Sequence, residues 1–265
     1  AVPLRTQQLE FDSNARNRTV AKSVEDLVVW ITGGGSGIGK AMAFEFANRK
    51  SKVVVSGRRP EKLQEVVDEI TTNGGQALAV TCDVTQEESI RGAVAKIVEA
   101  WGQLDAVIAN AGFGVGGKFE TISAEQWRSQ LETNVVGVAS TLRFALPELR
   151  KVGGRAAVVS SVMGKFSLAG SSPYCASKHA LMGLCNCLRQ ELRGSGVTLT
   201  NLLPGLVDSE IHQVDNDGVL HSDWRDKRPA KLKWPADKAA AVMADAIANR
   251  KSEFTFTGHG KVLGF

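Results

Sequence analysis

Short, continuously apolar runs rich in β-branched residues alternate with longer helical stretches along most of this chain, and no other feature restricts its fold as strongly. The runs are LVVWITG (27–33), KVVVSG (52–57), QALAVTCDV (76–84), LDAVIANAG (104–112), RAAVVSS (155–161), VTLTNLLPG (197–205) and a short EFTFTG (253–258). Because they are continuously apolar instead of alternating, they read as strands covered on both faces, as in a parallel sheet. The segments between them, such as EKLQEVVDEITTNG and ESIRGAVAKIVEAWG, carry helical periodicity. Repeated βα units predict an α/β fold of Rossmann type: a doubly wound, seven-stranded parallel sheet with helices on both faces. A chain of 265 residues with 43% hydrophobic and 23% charged content is expected to build this as one domain over residues 25–265, after a polar extension at 1–24.

Composition excludes several function classes. The net charge of +4 is spread out, with no basic stripe carrying interleaved aromatics, so no nucleic-acid partner is expected. No apolar run approaches the ~20 residues of a membrane-spanning helix. Cys82, Cys175, Cys185 and Cys187 form no Cys-x-x-Cys pair and the four histidines lack ligand spacing, so no metal site is expected. This cysteine usage fits a reducing, cytoplasmic setting, and Asn17-Arg18-Thr19 reads as a chance glycosylation triplet.

Directly after the first strand comes TGGGSGIGK, Thr32 to Lys40, opening a helix. Glycines at such a junction let a phosphate approach backbone N–H groups at a helix N-terminus, so an anionic ligand is expected. Ala41 stands where a Walker loop needs a hydroxyl, and G-x-G-x-x-G spacing is missing. Thr-Gly-x-x-x-Gly-x-Gly remains, with Gly33, Gly37 and Gly39. At the end of the second strand Gly57 replaces the acid that usually accepts from a ribose 2′-hydroxyl, and Arg58 and Arg59 follow. Planar donors there suit a 2′-phosphate, which favours NADP(H) over NAD(H).

The only tyrosine of the chain, Tyr174, lies four residues before Lys178 in SSPYCASKHA, so the two share a helix face. For the phenol to act near neutrality, its ordinary pKa near ~10 must fall by about three, worth about 4 kcal/mol. A unit charge at ~4 Å in an effective dielectric of ~20 supplies about that much, so Lys178 is expected to make Tyr174 an acid/base. Ser161 ends the fifth strand, ANAG (109–112) ends the fourth and Pro204-Gly205 closes the sixth, all at the carboxyl edge where open α/β sheets bind ligands. Asn134 lies in the helix after the fourth strand.

Together TGGGSGIG, NAG (110–112), Asn134, Ser161, YCASK and Pro204-Gly205 resemble the classical short-chain dehydrogenase/reductase family, from about residue 26 to residue 250. The resemblance implies that Tyr174 exchanges a proton with the substrate oxygen while hydride moves at the nicotinamide. Ser161 would hold that oxygen, Lys178 would lower the tyrosine pKa and bind ribose, and Asn134 would hold a water linking Lys178 to solvent. It implies cofactor contacts at Thr32, Gly33, Gly35, Ser36, Gly37, Ile38, Gly39, Arg58, Arg59, Asp83, Val84, Asn110, Ala111, Gly112, Tyr174, Lys178, Pro204, Gly205, Val207 and Ser209. It also implies a homodimer or homotetramer, although FTFTGHGKVLGF lacks the usual family ending.

Residues 206–235 are too long and polar for a simple connection and are expected to form a mobile flap over the substrate. Met163 and Phe166, with Phe113, Val115 and Leu168, follow strand ends near Ser161 and suggest an apolar pocket for a lipophilic ketone or alcohol. Expected is an NADP(H)-dependent carbonyl reductase or alcohol dehydrogenase acting on a small molecule. The alternatives are a 3-oxoacyl-thioester reductase and a binding protein that senses NADP(H) without turnover.

Overall fold

The computed structural model describes residues 23–257 apart from 222, 225–227 and 229. Most of the polar extension, the Asn17 triplet and the ending after Thr257 lie outside these residues. In chain order the elements are β1 (Val28–Thr32), α1 (Gly37–Asn48), β2 (Lys52–Gly57), α2 (Pro60–Thr72), β3 (Gln76–Thr81), α3 (Glu87–Trp101) and β4 (Ala106–Ala109), followed by α4 (Ala124–Leu131), α5 (Gly137–Val152), β5 (Arg155–Val159), α6 (Ser172–Glu191), β6 (Thr198–Leu203), α7 (Ala236–Ala248) and β7 (Glu253–Thr255). The strands form one sheet in the order β3-β2-β1-β4-β5-β6-β7, and every pairing is parallel.

The apolar runs are buried because both faces of the sheet are covered. Every residue of β1, β4 and β5 is buried, whereas the edge strands β3 and β7 are only partly so. Successive side chains point to opposite faces. Val29 and Ile31 join Met42, Phe46, Leu63 and Met243 from α1, α2 and α7 in one core; Val28 and Trp30 join Ile90, Leu142, Leu149 and Leu181 from α3, α5 and α6 in the other. Left-handed glycines stop two of these helices, Gly102 after α3 and Gly153 after α5.

Two local features position the site. Strands β3, β4, β5 and β6 end before their apolar runs do, so Asp83, Asn110–Gly112, Ser160–Ser161 and Pro204–Gly205 emerge as loops at the carboxyl edge. The chain reverses direction across the sheet at β1, which lies between β2 and β4, and this switch point opens a crevice there. The helix expected to carry Asn134 is not continuous: a capping box at Ser123 and Gln126 starts α4, and a π-helical turn, Glu132–Val136, joins it to α5.

Trp30 is fully buried and its Nε1 donates to Ser56 Oγ at 2.9 Å. Trp30→Ala is expected to lower the unfolding free energy by about 3–5 kcal/mol in denaturant titrations. Leu168→Ala, at a side chain 55% exposed, should stay within about 0.5 kcal/mol of the parent.

Candidate active site

The turn after β1 is built around close backbone approaches. Gly33 and Gly37 have φ of 64° and 51°. A Cβ on Gly39 would lie 2.2 Å from Gly33 O and 2.6 Å from Asn110 Nδ2, so only glycine lets α1 seat against the turn. Asn110 ties this turn to the end of β4: its Nδ2 donates to Thr32 O at 2.9 Å and Gly33 O at 3.2 Å. Thr32 Oγ1 accepts from Asn110 N at 3.0 Å and Ala111 N at 3.1 Å. Ser36 makes no capping bond, and among the described residues no side chain accepts from the first N–H groups of α1. That is a cradle shaped for a phosphate-bearing ligand.

Pro173 in the first turn of α6 fits the helix start, where its missing N–H costs nothing, and the next residue is Tyr174. One turn on, Lys178 is 7% exposed, and its Nζ donates to Val159 O, the last carbonyl of β5, at 3.0 Å. Its ammonium lies 5.4 Å from the centre of the Tyr174 ring. The pair therefore meets, but through the ring face. Burial holds the Lys178 pKa down to about 8. Burial likewise pushes the Tyr174 phenol up, offset in part by the Ser161 hydroxyl and by the Arg228 guanidinium in the flap. This departs from the expectation that Lys178 acidifies the phenol: the ammonium lies over the ring, and desolvation outweighs the Ser161 hydrogen bond and the Arg228 guanidinium.

Ser161 lies just past β5, its Oγ accepting from Met163 N at 3.1 Å and reaching Pro204 O at only 3.5 Å. Asn134 is buried in the π turn. Its Oδ1 accepts from Phe113 N at 3.1 Å, while Nδ2 donates to Phe113 O at 2.9 Å and Ser177 Oγ at 3.3 Å. The carboxamide thus clamps the loop after β4 and bonds α6. Gln130, absent from the expected site, does the same one turn earlier: Oε1 accepts from Val115 N at 2.6 Å and Nε2 donates to Phe113 O at 2.9 Å. Its spacing, four residues before Asn134 on one helix face, was the signal available in the sequence. The clamped loop runs beside Tyr174: a Cβ on Gly114 would sit 3.5 Å from the ring.

The remaining expected residues surround this centre unevenly. Gly112 abuts Asn134, Ile38 packs on the core beneath the turn, and Val84 is buried against Gly137 at the start of α5. Asp83 Oδ1 accepts from Thr85 N and Oγ1. Gly35 sits on Lys62 and Leu63 of α2, and Gly205 follows Pro204 past β6. Arg58 is exposed, whereas Arg59 pairs with Glu210 at 3.6 Å. Val207 bridges to Trp234, and Ser209 Cβ lies 3.2 Å from where a Cβ of Gly37 would be. Met163 and Phe166 are partly accessible. Phe113 and Val115 do not line a pocket with them: they form a small core with Ile122, Trp127 and Val214. Leu168 points to solvent. In the segment after β6 expected to form a flap, Val214 bridges Leu220 and the Asn216 carboxamide clasps Gly116 N and O at 3.0 and 2.8 Å. His221 pairs with Asp215 at 2.7 Å and stacks on Trp224, an arrangement internal to the flap.

The buried ammonium makes stability depend on pH. Between pH 8 and 10.5 the unfolded lysine still holds a proton that native Lys178, with its pKa at about 8, has released. At this group the unfolded state then binds more protons, so the Lys178 contribution to stability rises with pH, by about 3 kcal/mol over the whole window. Tyr174, Cys82 and Cys185, all raised in the native state, act in the opposite sense, the thiols from pH ~9 and the phenol from pH ~10, so pH 8 to 9 is the range to measure. Lys178→Met should be the more stable protein at pH 7 and should abolish this rise in urea titrations.

Residues 27–219 match the short chain dehydrogenase family. The chain is 35% identical over 225 residues to a 2,5-dichloro-2,5-cyclohexadiene-1,4-diol dehydrogenase of Sphingobium indicum, covering 84% of this chain and 90% of that one. Among solved structures it is similar to a short chain dehydrogenase/reductase of Burkholderia phymatum in complex with NAD, with a TM-score of 0.79, 27% identity, and 87% and 89% of the two chains covered. It is also similar to an alcohol dehydrogenase of Thermococcus sibiricus complexed with 5-hydroxy-NADP, with a TM-score of 0.76, 25% identity, and 87% and 95% covered. A parallel sheet with its switch point at β1, a glycine turn stapled by an asparagine, and a serine, tyrosine and lysine gathered at the end of β5 agree with these matches: the chain belongs to the short-chain dehydrogenase/reductase family of oxidoreductases, which use a nicotinamide cofactor.

Proposed function

We propose that this protein is an NADP(H)-dependent oxidoreductase that transfers hydride between nicotinamide and a carbonyl or secondary alcohol of a small, lipophilic substrate. The reading rests on one observation: Tyr174, Lys178 and Ser161 meet at the carboxyl end of β5, beside the cradle formed by Thr32, Gly33, Gly37, Gly39 and Asn110. The cofactor fits this chain because the close packing of Gly39 on Gly33 and Asn110 shapes a tight turn at the start of α1, where Ser36 caps none of the first N–H groups and a pyrophosphate can accept from them. When bound, the nicotinamide supplies or accepts the hydride.

The side chains manage the proton. In reduction Tyr174 donates its hydroxyl proton to the substrate oxygen, and Ser161 donates a hydrogen bond to the same oxygen. A phenol kept protonated by burial is in the form this direction needs. In oxidation the proton travels back, and Lys178, charged below pH ~8, stabilises the phenolate that forms. Lys178 is fixed by Val159 O, which leaves its other two protons for a ribose hydroxyl and for solvent. Asn134 and Gln130 act as positioning residues by holding the loop that borders Tyr174. Because the Asn134 carboxamide is already bonded on both sides, any water linking Lys178 to solvent is better assigned to its backbone carbonyl. Arg58, exposed at the end of β2, supplies the cation for a 2′-phosphate in place of the missing acid at Gly57. Four free cysteines, three of them buried, suit a reducing, cytoplasmic setting.

Two experiments test the reading. Across a panel of ketones followed at the NADPH absorbance, Tyr174→Phe should lose at least about 100-fold in turnover while still binding NADPH. Equal rates in parent and variant would remove Tyr174 from catalysis, and no turnover by the parent would favour the sensor alternative. Arg58→Ala should narrow the ratio of NADPH to NADH affinity about tenfold, the scale of one charge-assisted phosphate contact; an unchanged ratio would remove the cofactor assignment.

A further inference from the structure

The two arginines at the end of β2 are not in the same state. Arg58 is exposed, and the ion pairs among the described residues include Arg59 but not Arg58. Arg59 Nη2 lies 3.6 Å from Oε2 of Glu210. Glu210 belongs to the root of the flap, in a short 3-10 turn (Glu210–His212) that follows β6. In the sheet, β1, β4 and β5 lie between β2 and β6. At the usual spacing of about 4.8 Å per strand, the two chain ends are about 19 Å apart. A contact between them must cross the carboxyl ends of the intervening strands, and those ends form the cofactor crevice. The flap root does cross: Ser209 Cβ approaches to 3.2 Å from where a Cβ on Gly37 would stand, so it lies against the glycine turn. Gly37, Asp208, Ser209, Glu210 and Gln213 together line a cleft of about 290 Å³.

We infer that Glu210 is a cofactor-displaced strap: its carboxylate occupies Arg59 in the free enzyme and must yield to the cofactor's 2′-phosphate. This rests on the NADP(H) reading above and adds a specificity-determining residue to it. The chemistry is competition between two oxyanions for one guanidinium. Both pair with the planar fork in the same way, and a phosphate monoester carries about twice the charge of a carboxylate near neutrality, so the phosphate prevails. A cofactor without the 2′-phosphate has nothing to offer Arg59, and Glu210 stays where it is. Releasing Glu210 also frees the flap root, whose far end is held at Gly116 by Asn216 beside the loop that borders Tyr174. Arg59 and Glu210 are 40% and 43% exposed, so the pair is solvent-screened and its effect is modest.

The test is a set of binding titrations on the full chain, with NADPH, NADH and two cofactor fragments, 2′,5′-ADP and 5′-AMP. Glu210→Gln should tighten NADPH and 2′,5′-ADP about two- to fivefold, the scale of an exposed ion pair, and leave NADH and 5′-AMP unchanged. In an Arg59→Ala background the same substitution should do nothing. Three results would overturn the strap. Equal weakening of NADPH and NADH would mean that Glu210 clamps over a bound cofactor. Tightening that persists in Arg59→Ala would mean general charge repulsion. Unchanged NADPH affinity in Glu210→Gln would mean no competition. If the parent protein holds 2′,5′-ADP no better than 5′-AMP, the NADP(H) reading fails and the strap with it; a parent that does prefer 2′,5′-ADP, with an inert Glu210→Gln, sinks the strap alone.

Discussion

The bond from the Lys178 ammonium to the last carbonyl of β5 is the constraint on which the rest of this site depends. A cation this deeply buried is unfavourable unless something fixed accepts from it, and a strand-end carbonyl with its N–H side tied into the sheet is such an acceptor. The bond anchors α6 over the carboxyl end of β5. Tyr174, one turn earlier on the same face, is thereby placed above the crevice with Ser161 facing it. Burial then acts on both groups in the direction that suppresses charge: the lysine is drawn down toward neutrality and the phenol is held protonated.

Around that anchor, carboxamides do most of the positioning. Asn110 joins the glycine turn to the end of β4, and Asn134 and Gln130 hold the loop that follows. A carboxamide both donates and accepts, so it can pair with a backbone N–H and C=O together and keep a loop in place without introducing charge. The π turn at Asn134 belongs to the same design, since an extra residue in the helix lets the amide reach Phe113 and Ser177 while Gln130 still faces the loop. The segment between β6 and α7 uses the device once more, where Asn216 clasps Gly116. Loops rich in glycine and small residues, which need room for a flat ligand, are thus made rigid from outside.

Much of this was legible in the sequence because it follows from periodicity and backbone geometry. Seven apolar runs became seven parallel strands, and Gly33, Gly34, Gly37 and Gly39 of TGGGSGIG stand where a Cβ would collide or φ is positive. Tyr174 and Lys178 do share a helix face. The electrostatic sign at Tyr174 was not legible. A pairwise Coulomb argument from spacing assumes that the ammonium reaches the hydroxyl, whereas here it lies over the ring and both groups are desolvated. The sequence could not decide between pocket and core for Phe113 and Val115, because apolar residues after a strand end look alike whether they face a ligand or, as here, Ile122 and Trp127. Gln130 and Glu210 left no motif. Gln130 needed the helix face on which Asn134 sits, and Glu210 needed the path of the flap root across the crevice.

The central claim is that the ligand-free protein keeps the Tyr174 phenol neutral through burial, with Lys178 beneath the ring. Tyr174 is the only tyrosine in the chain, so carbon-13 labelling at the tyrosine ζ carbon yields one resonance whose pH titration reports this hydroxyl alone. The account predicts a midpoint above the ordinary tyrosine value near ~10 in the free protein. A midpoint near neutrality would contradict it and would restore the picture of a phenol already acidified by its lysine before any ligand binds.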